Sequence, residues 1–189
     1  MKYFIINSPV VPIYKSPKFE SELVTQALLG ETCAILKTHN NWIYIQQWDK
    51  YEGWAHSFYG ISTDTPYKTS HTFRKMEGYS KNEKGVKKII WGSKLQLTSS
   101  NRVLFPDGWK GSTPKGFYKR PLAKTRENII NEGKRLLGTP YLWGGKSSLG
   151  IDCSGLIQTV FRSLEISLPR DAWEQAEYFS DNKNTLEEI

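Results

Sequence analysis

The sequence predicts an α+β fold, with β-strands through residues 1–122 and α-helices after them. In the first part, short apolar runs alternate with turn residues, which is typical of β-strands. From residue 125 onward, apolar residues recur every three or four positions, which is the period of an α-helix. Hydrophobic residues make up 38% of the 189-residue chain and aromatic residues 13%, so the composition is that of a globular protein.

The strand region divides into two stretches, residues 1–62 and residues 63–122. In the first stretch, turn residues such as Asn40 and Asn41 separate several short strands. Short strands at this spacing predict a small β-barrel. The second stretch repeats the pattern less regularly, and we expect a second small barrel there. Cys33 lies in an alternating strand and is expected to be a core residue.

Residues 123–189 are predicted to contain helices joined by a glycine-rich loop. Thr125 has the character of a helix N-cap, and Gly138 that of the exit from the same helix. Gly133 lies on the apolar stripe of this helix, which predicts that another element approaches it closely. Asp171 opens a capping-box pattern, which predicts a last helix after it.

The helix after the glycine-rich loop carries the residues that could take part in catalysis. Asp152 stands at its N-cap position, so Cys153 falls on its first turn. Unpaired N–H groups and the positive end of the helix dipole favour a thiolate there, and a thiolate is a strong nucleophile. The alternative interpretation is that Cys153 is a small core residue, as free cysteines often are. The apolar face of the helix is Leu156, Ile157, Val160, Phe161 and Leu164.

Three motifs around this cysteine resemble the NlpC/p60-type cysteine peptidases, which cleave bacterial cell-wall peptides. They are Tyr141-x-Trp143-Gly144-Gly145, Asp152-Cys153-Ser154-Gly155-Leu156 and Leu168-Pro169-Arg170-Asp171. The resemblance covers about residues 125–180 and implies a papain-like α+β domain with Cys153 as the nucleophile. In that family a histidine on a later strand assists the cysteine, but no residue after Cys153 is a histidine. We therefore expect residues 123–189 to be the N-terminal part of a truncated catalytic domain, completed by a missing C-terminal segment or a partner chain.

The N-terminal pattern resembles the bacterial SH3-like domain. It consists of Ser21, Glu22, Leu23, Gln26, Gly30, Glu31, Asn41, Trp42, Gly53 and Trp54. Two such modules before an NlpC/p60 core resemble the γ-D-glutamyl-L-diamino acid endopeptidases, which act on stem peptides with a free N-terminal L-alanine. The resemblance implies that Glu31, Tyr51 and Asp152 bind the substrate amine. The alternatives are an exposed turn carboxylate for Glu31 and a barrel aromatic for Tyr51.

The same resemblance gives roles to the other predicted site residues. Ser154 and the backbone N–H of Cys153 are the candidate oxyanion donors. Trp143 and Gly144 would shape the floor of the cleft. The histidines have no metal-ligand spacing and are expected at the surface, so neither a metal nor another cofactor is predicted. These histidines are His39, His56 and His71.

Two functions from different classes fit these observations. The first is a cysteine endopeptidase that hydrolyses the γ-D-glutamyl-L-diamino acid bond of peptidoglycan stem peptides. The second is a truncated, inactive module that binds such cell-wall peptides without cutting them. Nucleic-acid binding is a weaker third interpretation and no nucleic-acid partner is expected, because the net charge of +7 comes from scattered Lys and Arg residues.

The sequence also bears on location. No apolar run is long enough to span a membrane, and the N-terminus lacks the hydrophobic region of a signal peptide. The chain as written is therefore expected in the cytoplasm. A start site further upstream would instead predict a periplasmic or extracellular protein.

Overall fold

The computed structural model describes residues 2–181, and its first part is a single antiparallel sheet. Seven strands form this sheet: β1 (Tyr3–Ile6), β2 (Val10–Tyr14), β3 (Leu23–Leu28), β4 (Thr32–His39), β5 (Trp42–Gln46), β6 (Glu52–His56) and β7 (Gly60–Thr63). Their order is β3-β2-β6-β5-β4-β1-β7. Asn40 takes a positive φ of 50° in the predicted turn between β4 and β5. Cys33 is buried in the core under this sheet, as predicted.

The second part contains a five-stranded sheet and a separate hairpin. Its strands are β8 (His71–Phe73), β9 (Glu77–Asn82), β10 (Gly85–Ile90), β11 (Lys94–Leu97), β12 (Arg102–Leu104), β13 (Lys110–Ser112) and β14 (Phe117–Tyr118). β9 and β10 form the hairpin, and the other five strands are ordered β13-β12-β11-β8-β14. Their apolar side chains form a core of their own around Phe73, Leu95 and Phe105.

The third part is mainly helical and holds a short two-stranded sheet. Its elements are α1 (Arg126–Arg135), β15 (Lys146–Ser147), β16 (Gly150–Ile151), α2 (Cys153–Ser163) and α3 (Ala172–Asp181). The last eight residues of the predicted region 123–189 lie outside the described residues. Thr125 caps α1 as predicted, because its hydroxyl accepts a hydrogen bond from the backbone N–H of Asn128 at 3.2 Å. The prediction for Gly133 was wrong, since a side chain at that position would face open space.

The three parts pack against one another through a few buried residues. Leu29, just after β3, lies in the second core, and Trp91, just after β10, lies in the third. Gly30 has a φ of +85°, and a Cβ there would sit 1.7 Å from the carbonyl oxygen of Lys94. Only glycine therefore allows the first two parts to approach this closely.

The α+β prediction is confirmed, with strands predominating and three helices among the described residues. The proposed boundaries after residues 62 and 122 stay predictions. Within residues 2–181, no helix combines the length and the apolar character that crossing a membrane requires.

Candidate active site

The site is built around the first turn of α2. Asp152 caps the helix, since its Oδ1 accepts a hydrogen bond from the backbone N–H of Gly155 at 2.6 Å. Cys153 is the first residue of the helix, and its side chain is exposed. Gly155 is needed here because a Cβ at that position would lie 2.1 Å from the carbonyl oxygen of Gly145. The glycine lets the helix lie directly against the preceding loop.

A buried arginine holds the cap in place. The guanidinium of Arg170 binds the Asp152 carboxylate with both ends of its fork, at 2.6 Å to Oδ2 and 3.1 Å to Oδ1. Its Nε donates to the hydroxyl of Thr25 in β3 at 3.0 Å. The backbone N–H of Gly144 donates to Asp152 Oδ2 at 2.9 Å. Both oxygens of the carboxylate are therefore occupied, and its charge is balanced by Arg170.

The side chain of Ser154 belongs to the same network. Its hydroxyl accepts a hydrogen bond from Arg170 at 2.8 Å and donates to Asp152 Oδ1 at 3.4 Å. The hydroxyl is buried in this arrangement. Of the two predicted oxyanion donors, the backbone N–H of Cys153 is the better placed, because first-turn N–H groups have no acceptor inside the helix.

Cys153 opens into a solvent-filled cleft between the first sheet and the third part. Six of the seven predicted site residues line this cleft. They are Tyr51, Trp143, Gly144, Asp152, Cys153 and Ser154. The first part also contributes Lys15, Glu22, Val24, Tyr44, Glu52 and Gly53, and the third part Arg170, Asp171, Ala172 and Trp173. The structure therefore places a nucleophile-type side chain beside a wall supplied by the N-terminal sheet.

The cleft carries negative charge that no cation of the described residues balances. Lys15 pairs with Glu22 at 3.2 Å, and Arg170 neutralises Asp152. These pairs leave the carboxylates of Glu52 and Asp171 without a cationic partner among residues 2–181. Gln46 donates a hydrogen bond to Glu52 Oε1 at 2.9 Å, but the charge of Glu52 and that of Asp171 are not balanced, which favours a cationic ligand group.

Tyr51 adds a hydrogen-bond donor beside one of these carboxylates. Its hydroxyl donates to Asp171 Oδ2 at 3.4 Å. Burial and the nearby charge of Asp171 raise the pKa of Tyr51 to about 12. The phenol therefore stays protonated at neutral pH and remains a donor.

Glu31 is placed away from the cleft, and this corrects the prediction that it contacts a substrate amine there. Its side chain is buried and pairs with Arg162 in the last turn of α2. Neither anticipated environment is found, since the carboxylate is neither in the cleft nor exposed on a turn. The physical reason is a long-range contact, since the partner of Glu31 inside the fold is Arg162, 131 positions later in the sequence.

The three histidines are engaged in the two N-terminal parts. The His39 ring contacts Asn40, His71 contacts Ser70, and the His56 ring packs against Phe19. No histidine within residues 2–181 forms a hydrogen bond to Cys153. In the same range, no group of three His, Cys, Asp or Glu side chains is arranged to hold a metal ion.

The sequence predicted no role in the site for Arg170, Asp171 or Glu52, and Asp171 was expected only as a helix cap. Arg170 and Asp171 belong to the motif Leu168-Pro169-Arg170-Asp171. The two adjacent opposite charges in this motif could have indicated a role in the site. Glu52 lies in β6 and carries no signal that separates it from any other strand carboxylate. Its place in the cleft depends on how the first part lies relative to the third, which no local pattern specifies.

Two family models and several curated proteins match this chain. Residues 13–57 match the model of the bacterial dipeptidyl-peptidase SH3 domain, and residues 138–188 match the model of the NlpC/P60 family. A γ-D-glutamyl-L-lysine dipeptidyl-peptidase of Bacillus cereus (strain ATCC 10987 / NRS 248) is 29% identical over 183 residues, covering 82% of this chain and 55% of the relative. Its namesake in Bacillus subtilis (strain 168) is 31% identical over 178 residues, covering 83% and 58%.

A solved structure shows the same fold. An NlpC/P60 family protein from Bacillus cereus ATCC 10987 superimposes with a TM-score of 0.82 at 22% identity, covering 93% of this chain and 76% of that one. The chain spans 55–58% of the length of the two dipeptidyl-peptidases that it matches.

Proposed function

Since the chain joins a bacterial SH3 domain to an NlpC/P60 peptidase segment, we propose that it is the nucleophile-bearing part of a cysteine peptidase for peptidoglycan stem peptides. The bond cleaved is the one between γ-D-glutamate and the following diamino acid. The observation that carries this proposal is the exposed Cys153 at the first residue of α2, open to a cleft. The names of the two Bacillus relatives support the choice of bond.

The proposed chemistry is acyl transfer to sulfur. The Cys153 thiolate attacks the carbonyl carbon of the γ-D-glutamyl group, and a carbon–sulfur bond forms. The backbone N–H of Cys153 donates to the developing oxyanion. The carbon–nitrogen bond then breaks, the diamino acid leaves as an amine after gaining a proton, and water hydrolyses the thioester.

This cycle needs a general base, which we assign to a segment outside residues 2–181. A base must come within hydrogen-bond distance of the nucleophile, about 2.6–3.2 Å in a competent complex. The three histidines have partners elsewhere, as described above. The segment belongs either to a longer form of the same protein or to a partner chain.

The substrate amine is assigned to the free carboxylates of the cleft. Asp171 and Glu52 lack a cationic partner among residues 2–181, whereas Asp152 is saturated by Arg170. Tyr51 orients the Asp171 carboxylate through its hydroxyl. A free N-terminal L-alanine presents an ammonium group, which binds a carboxylate through charge-assisted hydrogen bonds. An N-acetylated peptide has lost this charge.

Calorimetry on Cys153→Ala tests the amine assignment without interference from turnover. We expect L-Ala-γ-D-Glu-L-Lys to bind at least about tenfold more tightly than its N-acetylated form, a difference of about 1.4 kcal/mol. Asp171→Asn should remove most of this preference. Glu83→Gln is the matched control, because it makes the equivalent carboxylate-to-amide change on an exposed residue of the second part. Equal affinity for the two peptides would contradict the assignment.

The second candidate function, a binding module without turnover, is favoured by the absence of a histidine beside Cys153 in the described residues. Release of L-lysine from the same peptide separates the two. We expect the 189-residue chain alone to bind the peptide but to hydrolyse it hardly at all. Robust turnover that is lost in Cys153→Ala would disprove the assignment of the base to another segment. Failure to bind either peptide would disprove both functions.

A further inference from the structure

A second cavity lies at the opposite end of α2, where all three parts of the molecule meet. Its enclosed space is small and opens to solvent. Trp48 comes from the first part, Arg74 and Lys94 from the second, and Arg162 from the last turn of α2. The helix has 11 residues, so its ends lie about 16 Å apart at 1.5 Å per residue. The cavity is therefore distinct from the cleft at Cys153.

The cavity is lined by an excess of positive charge. The cationic residues of its wall are Arg74, Lys94, Lys119, Arg120, Lys146 and Arg162. Two of them are neutralised within the fold, since Lys146 lies 3.7 Å from Asp49 and Arg162 pairs with Glu31. The carboxylate of the wall itself is Glu165, which is exposed. Four cations therefore face one carboxylate.

Two buried donors in this wall have no acceptor among residues 2–181. Arg74 is 8% exposed, and its Nε has no hydrogen-bond partner, although its Nη2 donates to the carbonyl oxygen of Arg120. The indole N–H of Trp48 is also buried without a partner. The neighbouring carboxylate of Glu132 pairs with Arg135 through Oε1 at 2.9 Å, and its Oε2 is buried without a hydrogen bond to any of the described residues, so it does not satisfy Arg74 Nε. Buried donors nearly always have acceptors in native proteins, so a missing acceptor is expected in this cavity.

Lys94 adds an unpaired cation to the same wall. Its ammonium group forms no hydrogen bond or ion pair with the other residues of the range 2–181. Burial and the neighbouring charge of Arg162 lower the pKa of Lys94. A bound anion would restore the interactions that burial removes from this ammonium group.

We propose that this cavity binds a phosphate group, either free or on a small ligand. Its walls offer donors from a guanidinium, an ammonium and an indole, and a phosphate offers several acceptor oxygens to satisfy them together. The dianionic charge of phosphate suits the excess of cations better than a single carboxylate does. The ligand would also join the first two parts, because the indole of Trp48 belongs to the first part and the side chains of Arg74 and Lys94 belong to the second.

Calorimetry and thermal unfolding of the 189-residue chain test this proposal. Inorganic phosphate at millimolar concentration and constant ionic strength should bind saturably and raise the melting temperature. Lys94→Met should weaken the affinity at least tenfold. Lys84→Met is the matched control, because it removes an exposed lysine of the β9–β10 turn and should leave the affinity unchanged. Acetate should bind more weakly than phosphate.

A second variant protects the test against a folding defect. Trp48→Phe removes the indole N–H but keeps an aromatic ring, and it should also weaken phosphate binding. Glycerol 3-phosphate distinguishes the two sources of the group, since tighter binding than inorganic phosphate indicates a phosphate ester. Absence of saturable phosphate binding to the unmodified chain would overturn the proposal. Equal affinities in the Lys94→Met, Trp48→Phe and Lys84→Met variants would overturn it as well.

Discussion

The two ends of α2 carry the same kind of ion pair in two different environments. At the N-terminal end, Asp152 and Arg170 form a two-point contact, and each carboxylate oxygen has a further partner. At the C-terminal end, Arg162 binds Glu31 through one oxygen, and the other oxygen has no hydrogen-bond partner in the described part of the chain. Arg162 also lies over the ring of Trp48, 4.0 Å from its centroid.

This difference shows at which end of α2 the buried polar groups are fully hydrogen-bonded. A saturated network fixes the orientation of its members, because each group has one geometry that satisfies it. Such a network lies beside Cys153, where a reacting group has to be held in position. The other end keeps unsatisfied donors and an open cavity, which is the condition for a ligand to enter. The N-terminal end of α2 is therefore suited to holding a reacting group in position, and the C-terminal end is suited to binding a ligand.

The largest expected contrast concerns the two cysteines, one near each end of the helix. Cys153 is exposed, whereas Cys33 is buried close to Glu31, and burial raises the pKa of its thiol. A buried thiol reacts only when the structure opens, so its rate is reduced by the opening equilibrium. We expect iodoacetamide to label Cys153 at least about 1000-fold faster than Cys33, measured by mass spectrometry of the labelled peptides.

Labelling in denaturant provides the control for that experiment. The two cysteines should react at similar rates once the chain is unfolded, since both then have ordinary thiols. Comparable rates in the folded protein would show that the thiol at the start of α2 is not accessible. The interpretation of Cys153 as an accessible nucleophile would then be wrong.

A smaller effect follows from making the same chemical change at both ends. Asp152→Asn leaves Arg170 buried without its charge partner and should lower the free energy of unfolding by about 3–5 kcal/mol. Glu31→Gln should cost only about 1–3 kcal/mol, because Arg162 keeps its stacking on Trp48 and lies closer to solvent. Denaturant unfolding of the two variants measures both values.

Which variant loses more unfolding free energy shows which ion pair stabilises the helix more. A larger loss for Glu31→Gln would mean that the single-oxygen pair holds the helix more firmly than the saturated network does. Buffers for this experiment should contain no phosphate, because the variant at Glu31 removes a carboxylate close to the proposed phosphate cavity. Glu83→Gln serves again as the exposed control and should change the free energy of unfolding by less than about 0.5 kcal/mol.

The parts of the fold that the sequence predicted are those set by short-range interactions. Thr125 and Asp152 were expected as helix caps, and each accepts a hydrogen bond from a backbone N–H three residues later. The turn at Asn40 and the start of α3 after Asp171 are equally local. Residue type and spacing determine such local features, and the structure confirms these predictions.

The missed contacts join residues that are far apart in the sequence. Arg162 and Glu31 are separated by 131 positions, and Tyr51 and Asp171 by 120. Which side chain meets which at such distances depends on how the parts pack, and a single sequence contains no periodic pattern for it. The prediction for Glu31 failed for this reason. That Glu52 and Asp171 are the carboxylates without a cationic partner follows only from the structure, in which Arg170 neutralises Asp152.

The smallest expected effect tests how rigidly the loop lies against the start of α2, and it uses two helical glycines. Gly155→Ala should lower the free energy of unfolding by about 1–3 kcal/mol, because the new Cβ would lie 2.1 Å from the Gly145 carbonyl oxygen. Gly133→Ala in α1 meets no atom within 4 Å and should instead stabilise by roughly 0.5–1 kcal/mol, as alanine favours helices. Denaturant unfolding compares them. Stabilisation by both substitutions would show that the loop before Cys153 yields easily, and the saturated end of the helix would then be no more rigid than the open one.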